Sequence, residues 1–197
     1  SPLHASSTGT VGAYALARLK FLGRGFLASA TLITYLVPPS ILFIPLYAQI
    51  RNLGLADSLT GLIVAYPSFT VPFVTWLLMG SFESIPEELE EAAMIDGATR
   101  FGAFWRVVLP LSAPGVLAAA LYAFTQAWNE FLYALVFITN VKLRTLPVGL
   151  STFITGDVYG WGYLMAGAVL TTLPVIAAYI YLQKYMVEGL TAGSVKG

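Results

Sequence analysis

The sequence contains no cysteine and a single histidine, His4, among its 197 residues. The lack of thiols excludes disulfide bonds, thiolate metal sites and a cysteine nucleophile. One histidine near the start of the chain is too few for a multi-histidine metal site and argues against histidine-based catalysis. The sequence also lacks the G-x-x-x-x-G-K-[ST] phosphate-binding loop, so the chain is not itself an ATPase. We therefore expect this chain to bind no metal and no cofactor.

Charged residues are also scarce, at 10% of the sequence against about 25% in a typical soluble domain. Ten basic and ten acidic residues give a formal net charge of zero, and no basic patch is present that would neutralise phosphates. Hydrophobic residues make up 57% of the sequence. This balance indicates a membrane protein with several spans, surrounded by lipid and without a nucleic-acid partner.

The gaps between charged residues have the length of membrane-spanning helices, which need about 20 apolar residues. We predict spans over residues 26–50, 58–82, 112–138 and 163–185, and the end of an earlier span over residues 8–19. The chain starts at Ser1 without an initiator methionine or a signal-peptide pattern, and we expect it to be N-terminally truncated. The predicted fold is all-α, a polytopic transmembrane helical bundle that forms one domain over residues 1–197.

The one charge-dense segment covers residues 84–110, SIPEELEEAAMIDGATRFGAFWRVVLP. A polar segment between two spans must lie at a membrane surface, and we predict that it is a docking element for a soluble partner. An ordinary amphipathic loop with a solvated charge run is the alternative. If the spans alternate in direction, seven of the ten lysines and arginines lie on the same side as this segment. That bias predicts that the segment is cytoplasmic.

Local patterns predict two short helices in this segment. Ser84 and Glu87 fit a capping box at the start of the first helix, and Gly97 is expected to end it. The second helix is predicted from an apolar repeat at i, i+3, i+4 and i+7, which forms an aromatic face toward the spans. This repeat consists of Phe101, Phe104, Trp105 and Val108. The pair Leu109-Pro110 is expected to stop the second helix.

The segment resembles a family signature in the spacing of Glu91-Ala92-Ala93, three residues, Gly97, nine residues and Val107-x-Leu109-Pro110. It is similar to the E-A-A-x3-G-x9-I-x-L-P loop of permease subunits in bacterial binding-protein-dependent ABC importers, with Val107 in place of isoleucine. Further stretches, including LVPPSILFIPLY, WNEFLYAL and the tail GLTAGSVKG, are similar to the maltose-type carbohydrate branch of that family. The resemblance covers nearly the whole chain, and implies that the first of six helices and part of the second are missing.

The resemblance implies a permease of the type I importer fold that moves a carbohydrate, a di- or oligosaccharide, across the bacterial plasma membrane. Its implied partners are a second permease subunit, two ATPase subunits that bind and hydrolyse ATP, and an extracytoplasmic sugar-binding protein. The segment 84–110 would be a coupling-helix loop that docks on the ATPases. The tail would reach between the ATPases, or it is a frayed end. The implied contact residues are Glu87, Glu88, Glu91, Ala92, Ala93, Asp96, Gly97, Leu109 and Pro110.

Two further sets of residues are candidates for binding. The loop over residues 139–162 would contact the sugar-binding protein, or it is a linker with interfacial aromatics. Its candidates are Gly156, Tyr159, Gly160 and Trp161. Polar groups within a span face the bundle interior or a water-filled path, and aromatic faces suit sugar rings, so a second set is a candidate sugar path. Its members, which alternatively bond neighbouring helices, are Tyr122, Gln126, Asn129, Glu130 and Tyr133.

Three other functions are alternatives for a membrane protein of this composition, and the sequence favours them to different degrees. An importer for another small solute, such as an amino acid or a polyamine, would share the coupling loop. A secondary transporter or channel would need a titratable residue deep in a span, and only Glu130, near a span end, comes close. A membrane enzyme would need a nucleophile or a metal-binding set of residues, and the sequence offers neither.

Overall fold

The computed structural model describes residues 2–155 and 158–193, and the side chains of residues 9–154 and 160–185. The all-α prediction is confirmed, since the regular elements in these residues are helical except for one two-residue ladder. That antiparallel ladder joins β1, Ile154–Thr155, to β2, Val158–Tyr159. The α-helices are α1 Pro2–Arg18, α2 Arg24–Leu36, α3 Pro39–Asn52, α4 Leu59–Ala65, α5 Pro67–Glu83, α6 Glu87–Ile95, α7 Arg100–Ala103, α8 Leu109–Leu111, α9 Ala113–Trp128, α10 Leu132–Phe137, α11 Leu146–Ser151 and α12 Trp161–Gly193.

Several of these helices are long and apolar enough to cross a membrane. Helices α4 and α5 form one such stretch, Leu59–Glu83, and the part of α12 over Trp161–Tyr185 forms another. Two further stretches qualify if each bent pair of helices is one span. These pairs are α2 with α3, bent by 99°, and Arg100–Leu111 with α9, bent by 77°. The structure thus supports a protein with several spans, while the depth of each helix in the bilayer stays a prediction.

The sharp bend between α2 and α3 falls at two consecutive prolines within the predicted span 26–50. Val37 and Pro38 have extended backbone angles, with ψ of 120° and 128°. A residue before proline is disfavoured in the helical region, and proline has no N–H to donate. The helix therefore ends at Leu36 and starts again at Pro39, where proline is well tolerated as a first helical residue.

The predicted span 112–138 also contains a break. Helix α9 ends at Trp128, and a second helix, α10, begins only at Leu132. The carboxylate of Glu130 accepts hydrogen bonds from the backbone N–H groups of Tyr133 (2.8 Å) and Ala134 (3.0 Å). These donors belong to the first turn of α10 and have no partner within that helix. Glu130 thus stabilises the restart of the helix after the break.

The helices enclose two buried apolar clusters. One is formed by α1, α5 and α9 together with the segment after α6, and includes Leu78, Phe82 and Phe104. The other is formed by α3, α4, α10 and α11, and includes Tyr133 and Phe137. The first cluster lies beside α6, and it therefore supports the candidate docking segment.

The second helix of the docking segment differs from its prediction. A π-helix over Phe104–Val108 joins α7 to α8, and the Leu109 N–H donates to the Phe104 carbonyl five residues back. The helix ends at Leu111, one residue beyond the predicted stop at Leu109-Pro110, and the chain bends by 77° before α9. The 3.6-residue repeat no longer holds across a π-turn. Phe104 is accordingly buried, whereas Trp105 is 54% exposed, so the aromatic face is only partly turned toward the spans.

Candidate docking surface

The first turn of α6 carries three glutamates. Glu87, Glu88 and Glu90 lie where the helix dipole is positive, which stabilises their charge. The predicted capping box is wrong, because Pro86 occupies the N-cap position and the Ser84 hydroxyl donates to the Ser81 carbonyl instead (2.8 Å). Pro86 already fixes the entry of the chain into the helix, so no side-chain cap forms there.

Gly97 ends α6 as predicted, through a left-handed turn. Its φ is +90°, a conformation that costs other L-residues about 1–2 kcal/mol. The Gly97 N–H donates to the Met94 carbonyl (3.1 Å) and the Ala98 N–H to the Ala93 carbonyl (3.0 Å). These two bonds form the Schellman motif, which satisfies the last carbonyls of a helix. The glycine of the sequence signature is thus required by the backbone at the end of α6.

Most of the predicted contact residues of α6 lie on one open surface. Ala93 is half-buried, and the other predicted contact residues of α6 and its end are exposed, namely Glu87, Glu88, Glu91, Ala92, Asp96 and Gly97. Pro110 is also exposed and Leu109 half-buried, both in α8. Two apolar side chains outside the set of implied contact residues join the open surface, Leu89 (44% exposed) and Ile95 (86% exposed). The surface therefore combines carboxylates with small and apolar groups, which suits contact with a protein.

Glu90 points the other way and is buried. The Tyr14 hydroxyl donates to its carboxylate, and the Arg18 guanidinium lies 3.8 Å from it, an ion pair too long for a hydrogen bond. Arg18 also pairs with Glu87 at 3.5 Å. We call Tyr14, Arg18, Glu87 and Glu90 the Arg18 cluster. Sequence analysis did not predict this cluster, because its partners are up to 76 residues apart in sequence.

A second arginine holds the end of α1. Arg24 donates to the carbonyls of Leu16 (2.6 Å) and Ala17 (2.9 Å), and its guanidinium lies 3.6 Å from the Glu83 carboxylate. The last carbonyls of a helix lack partners within it, and a cation there is favourable. The polar contacts near the docking surface thus fix α1 to the end of α5.

The residues of the predicted sugar path divide into two groups. Tyr122 is half-buried and accepts a hydrogen bond from the exposed Gln126 (3.0 Å), and its ring lies 4.1 Å from that of Phe73. Asn129 is exposed and donates to the Thr125 carbonyl of its own helix (3.0 Å). Tyr133, by contrast, is only 1% exposed and donates to the Pro39 carbonyl (3.1 Å). Glu130 accepts from the Tyr66 hydroxyl (3.3 Å) besides its bonds to α10.

The loop over residues 139–162, which we call the outer loop after its predicted side of the membrane, is fixed at its start to the turn before α4. Asp57 accepts hydrogen bonds from the N–H groups of Thr139 and Asn140, both at 2.8 Å, and its own N–H donates to the Phe137 carbonyl (3.1 Å). The bond from Asn140 holds the pKa of Asp57 below its ordinary value. Of the predicted binding-protein contacts, Gly156 lies outside the described residues and the Tyr159 backbone is in β2. Gly160 and Trp161 lie at the start of α12, and Trp161 is 62% exposed.

Comparisons with known proteins find transport permeases among the relatives of this chain. The chain is 40% identical to a probable ABC transporter permease, YurM, of Bacillus subtilis and covers 62% of it, using 94% of its own length. It is 44% identical to the sulfoquinovosyl glycerol transport permease SmoH of Agrobacterium fabrum (95% of this chain, 66% of that protein). It is 39% identical to the trehalose/maltose transport permease MalG of Thermococcus litoralis (97% and 69%). The chain thus spans about two thirds of these relatives' length.

The fold also matches a solved structure. A bacterial ABC transporter involved in the import of the acidic polysaccharide alginate superposes with a TM-score of 0.69 at 24% identity, over 93% of this chain and 72% of that chain. The profile of the binding-protein-dependent transport system inner membrane component matches residues 9–191. The expected permease fold and membrane location are therefore confirmed. The chain belongs to the family of binding-protein-dependent transport system inner membrane components.

Proposed function

We propose that this chain is a permease subunit of an ATP-driven importer that moves a carbohydrate, a di- or oligosaccharide, into a bacterial cell. Membership of the transport family and the sugar transport names of several relatives support the proposal. In it, a second permease completes the pathway, and an extracytoplasmic sugar-binding protein delivers the substrate. Two ATPase subunits hydrolyse the ATP, so this chain itself needs no cofactor.

The observation that carries the proposal is the exposed surface of α6. The exposed side of α6 carries charged, small and apolar groups. The opposite side, which carries Glu90, is fixed by the Arg18 cluster. A short helix held in this way seats on a partner without moving independently of its own spans. In the proposal, Glu91, Ala92 and Gly97 contact the ATPase, and the small residues allow its backbone to come close.

The sugar path in the proposal is narrower than the predicted set. Gln126 and Asn129 are exposed, and Gln126 donates to the half-buried Tyr122, whose ring lies beside that of Phe73. A sugar ring binds such a surface by stacking on an aromatic face while its hydroxyls bond the amides. Glu130 and Tyr133 instead make contacts that hold α10 and the core, and a role for them in the path stays a prediction.

A contact with the binding protein is proposed for the end of the outer loop. The exposed Trp161 and the adjacent Gly160 lie where the chain enters α12. Asp57 holds the other end of this loop, at Thr139 and Asn140, against the turn before α4. A loop fixed at one end and carrying an exposed aromatic group at the other suits a contact with a partner on that side.

Co-purification of the full-length protein with its ATPase tests the proposal. Gly97→Asp and Glu91→Lys are expected to lose the ATPase or to uncouple ATP hydrolysis from uptake, with membrane insertion unchanged. Gly23→Asp is a matched control, because Gly23 has the same φ of +90° and no group within 4 Å of an added Cβ. Normal ATPase binding and transport by both test variants would refute docking through α6.

The substrate class is tested separately by uptake assays with the wild-type transporter. Labelled maltose, trehalose and longer oligosaccharides form one panel, and amino acids and polyamines form the other. Uptake of a sugar supports the carbohydrate assignment. Uptake confined to the second panel would favour the importer of another small solute.

A further inference from the structure

We propose that the Arg18 cluster is the mechanical link that passes a displacement of α6 to α1 and α5. In this proposal Arg18 and Glu90 are positioning residues, which act through the helices that they join. The inference rests on the proposed function, because it takes α6 as the helix that the ATPase moves. It adds the residues within this chain through which that movement reaches the spans.

Arg18 contacts two other parts of the chain at once. Its guanidinium donates to the Phe82 carbonyl in the last turn of α5 (2.7 Å) and to the Ile85 carbonyl just before α6. It also forms the two ion pairs with Glu87 and Glu90 of α6. The planar guanidinium has five N–H donors in a fixed geometry, so one rigid group connects α1 to both helices.

Burial disfavours separation of Arg18 from Glu90. The side chains of Arg18 and Glu90 are only 5% and 7% exposed. Separating these two charges would break the ion pair of the buried Glu90 carboxylate, which is unfavourable for a charge away from water. The Tyr14 hydroxyl adds a second bond from α1 to Glu90. When α6 is displaced, the cluster is therefore expected to move with it rather than to open.

Helices α1 and α5 respond as one body because they are in close contact. Small residues spaced by four, Gly9, Ala13 and Ala17, place α1 against α5, and Ala13 is fully buried. A Cβ on Gly9 would lie 2.7 Å from Cγ1 of Val74. Close-packed interfaces of this kind transmit displacement because they have little free volume.

Within the part of the chain that the structure describes, the polar side-chain contacts from α6 to other helices all go to α1. At the other end, α6 leads through the Gly97 turn into the helix that starts at Arg100. The Schellman turn fixes the end of α6 by backbone bonds alone. The polar side-chain route from α6 to the spans thus passes through Arg18 and Glu90.

The experiment uses the full-length transporter with its ATPase subunits in lipid nanodiscs. Spin labels at Val11→Cys in α1 and Val169→Cys in α12 report the distance between these helices with and without ATP and vanadate. Both positions are exposed, and the chain has no other cysteine. The background with an unchanged cluster is expected to show an ATP-dependent distance change.

Arg18→Gln is expected to retain the bound ATPase but to lose the distance change, and sugar uptake per ATP should fall about fivefold or more. Lys20→Gln is the matched control, because it removes an exposed cation two residues away, and it should behave as the background does. An unchanged distance response in Arg18→Gln would overturn the inference. Loss of the ATPase from Arg18→Gln would also overturn it, since the cluster would then form the docking surface rather than transmit its movement.

A rescue experiment separates transmission from folding. The double variant R18C/E90C removes both buried charges, so neither is left unpaired, and uptake per ATP is expected to fall. A short bifunctional thiol reagent that joins the two positions should restore it, and failure to restore it would contradict the inference. If Gly97→Asp and Glu91→Lys bind the ATPase and transport normally, the proposed docking through α6 fails. If they lose it while Arg18→Gln responds normally, only this inference fails.

Discussion

The contact between α5 and α9 depends on the absence of a side chain at Gly115. A Cβ at this position would overlap the Ser81 hydroxyl and lie 2.7 Å from the Ser81 Cβ. The hydroxyl can rotate away, but the Cβ is fixed to the backbone of α5. Gly115→Ala therefore forces the two helices apart or distorts one of them.

The size of the effect follows from two opposing contributions. Overpacking of a well-packed contact costs about 1–3 kcal/mol. Replacing a helical glycine by alanine gains roughly 0.5–1 kcal/mol. Gly80→Ala provides the second contribution alone, because Gly80 is in α5 with no group within 4 Å of an added Cβ. We expect the free energies of unfolding of the two variants to differ by about 1–3 kcal/mol, with Gly115→Ala the less stable.

Unfolding of the full-length protein by SDS in mixed micelles, followed by tryptophan fluorescence, measures this difference. The double variant Ser81→Gly/Gly115→Ala removes the clashing Cβ, and should recover most of the loss. The interaction energy of such neighbouring sites is about 0.5–3 kcal/mol. Equal stability of Gly115→Ala and Gly80→Ala, or no recovery in the double variant, would refute the close approach of α5 and α9.

Three further predictions concern the docking turn, the outer loop and α12. Gly97→Val should weaken ATPase binding about 5–30-fold, because the turn at φ +90° then costs about one or two kcal/mol. Gly23→Val, at the same φ, should leave the affinity for the ATPase unchanged in a pull-down titration. The lowered pKa of Asp57 means that its stabilisation of the outer loop is complete above the ordinary carboxyl pKa and is lost as the pH falls through the lowered value. Hydrogen exchange of the loop, corrected for intrinsic rates, should therefore rise on acidification in wild type and be independent of pH over this range in Asp57→Asn. Trp128→Phe removes the 2.9 Å hydrogen bond from the indole N–H to the Thr171 carbonyl, and should lower the free energy of unfolding in SDS by about 1 kcal/mol. An unchanged free energy of unfolding would show that this bond does not join α9 to α12.

Local features of the docking segment were predictable because they depend on neighbouring residues. The end of α6 at Gly97 follows from the conformation that only glycine adopts at little cost, and the signature around it identified the family. The predictions of helix ends from local pattern were inaccurate where a second local feature of the backbone competed with the predicted one. Pro86 replaced the capping box at the start of α6, and a π-turn carried the second helix past Pro110.

The all-α class and its apolar stretches follow from the sequence by itself, because the lengths of uncharged runs and the penalty for exposing backbone groups to lipid leave few alternatives. The prediction that residues 84–110 dock on a partner rests likewise on their charge and spacing. Only the tertiary structure decided that Arg18 and Glu90 are buried partners, since they are far apart in sequence and both look like ordinary surface charges. It also showed that Tyr133 is buried in the core, although its residue type and position gave no sign of that. Burial and pairing over long sequence distances depend on which helices pack together, and no local pattern encodes that choice.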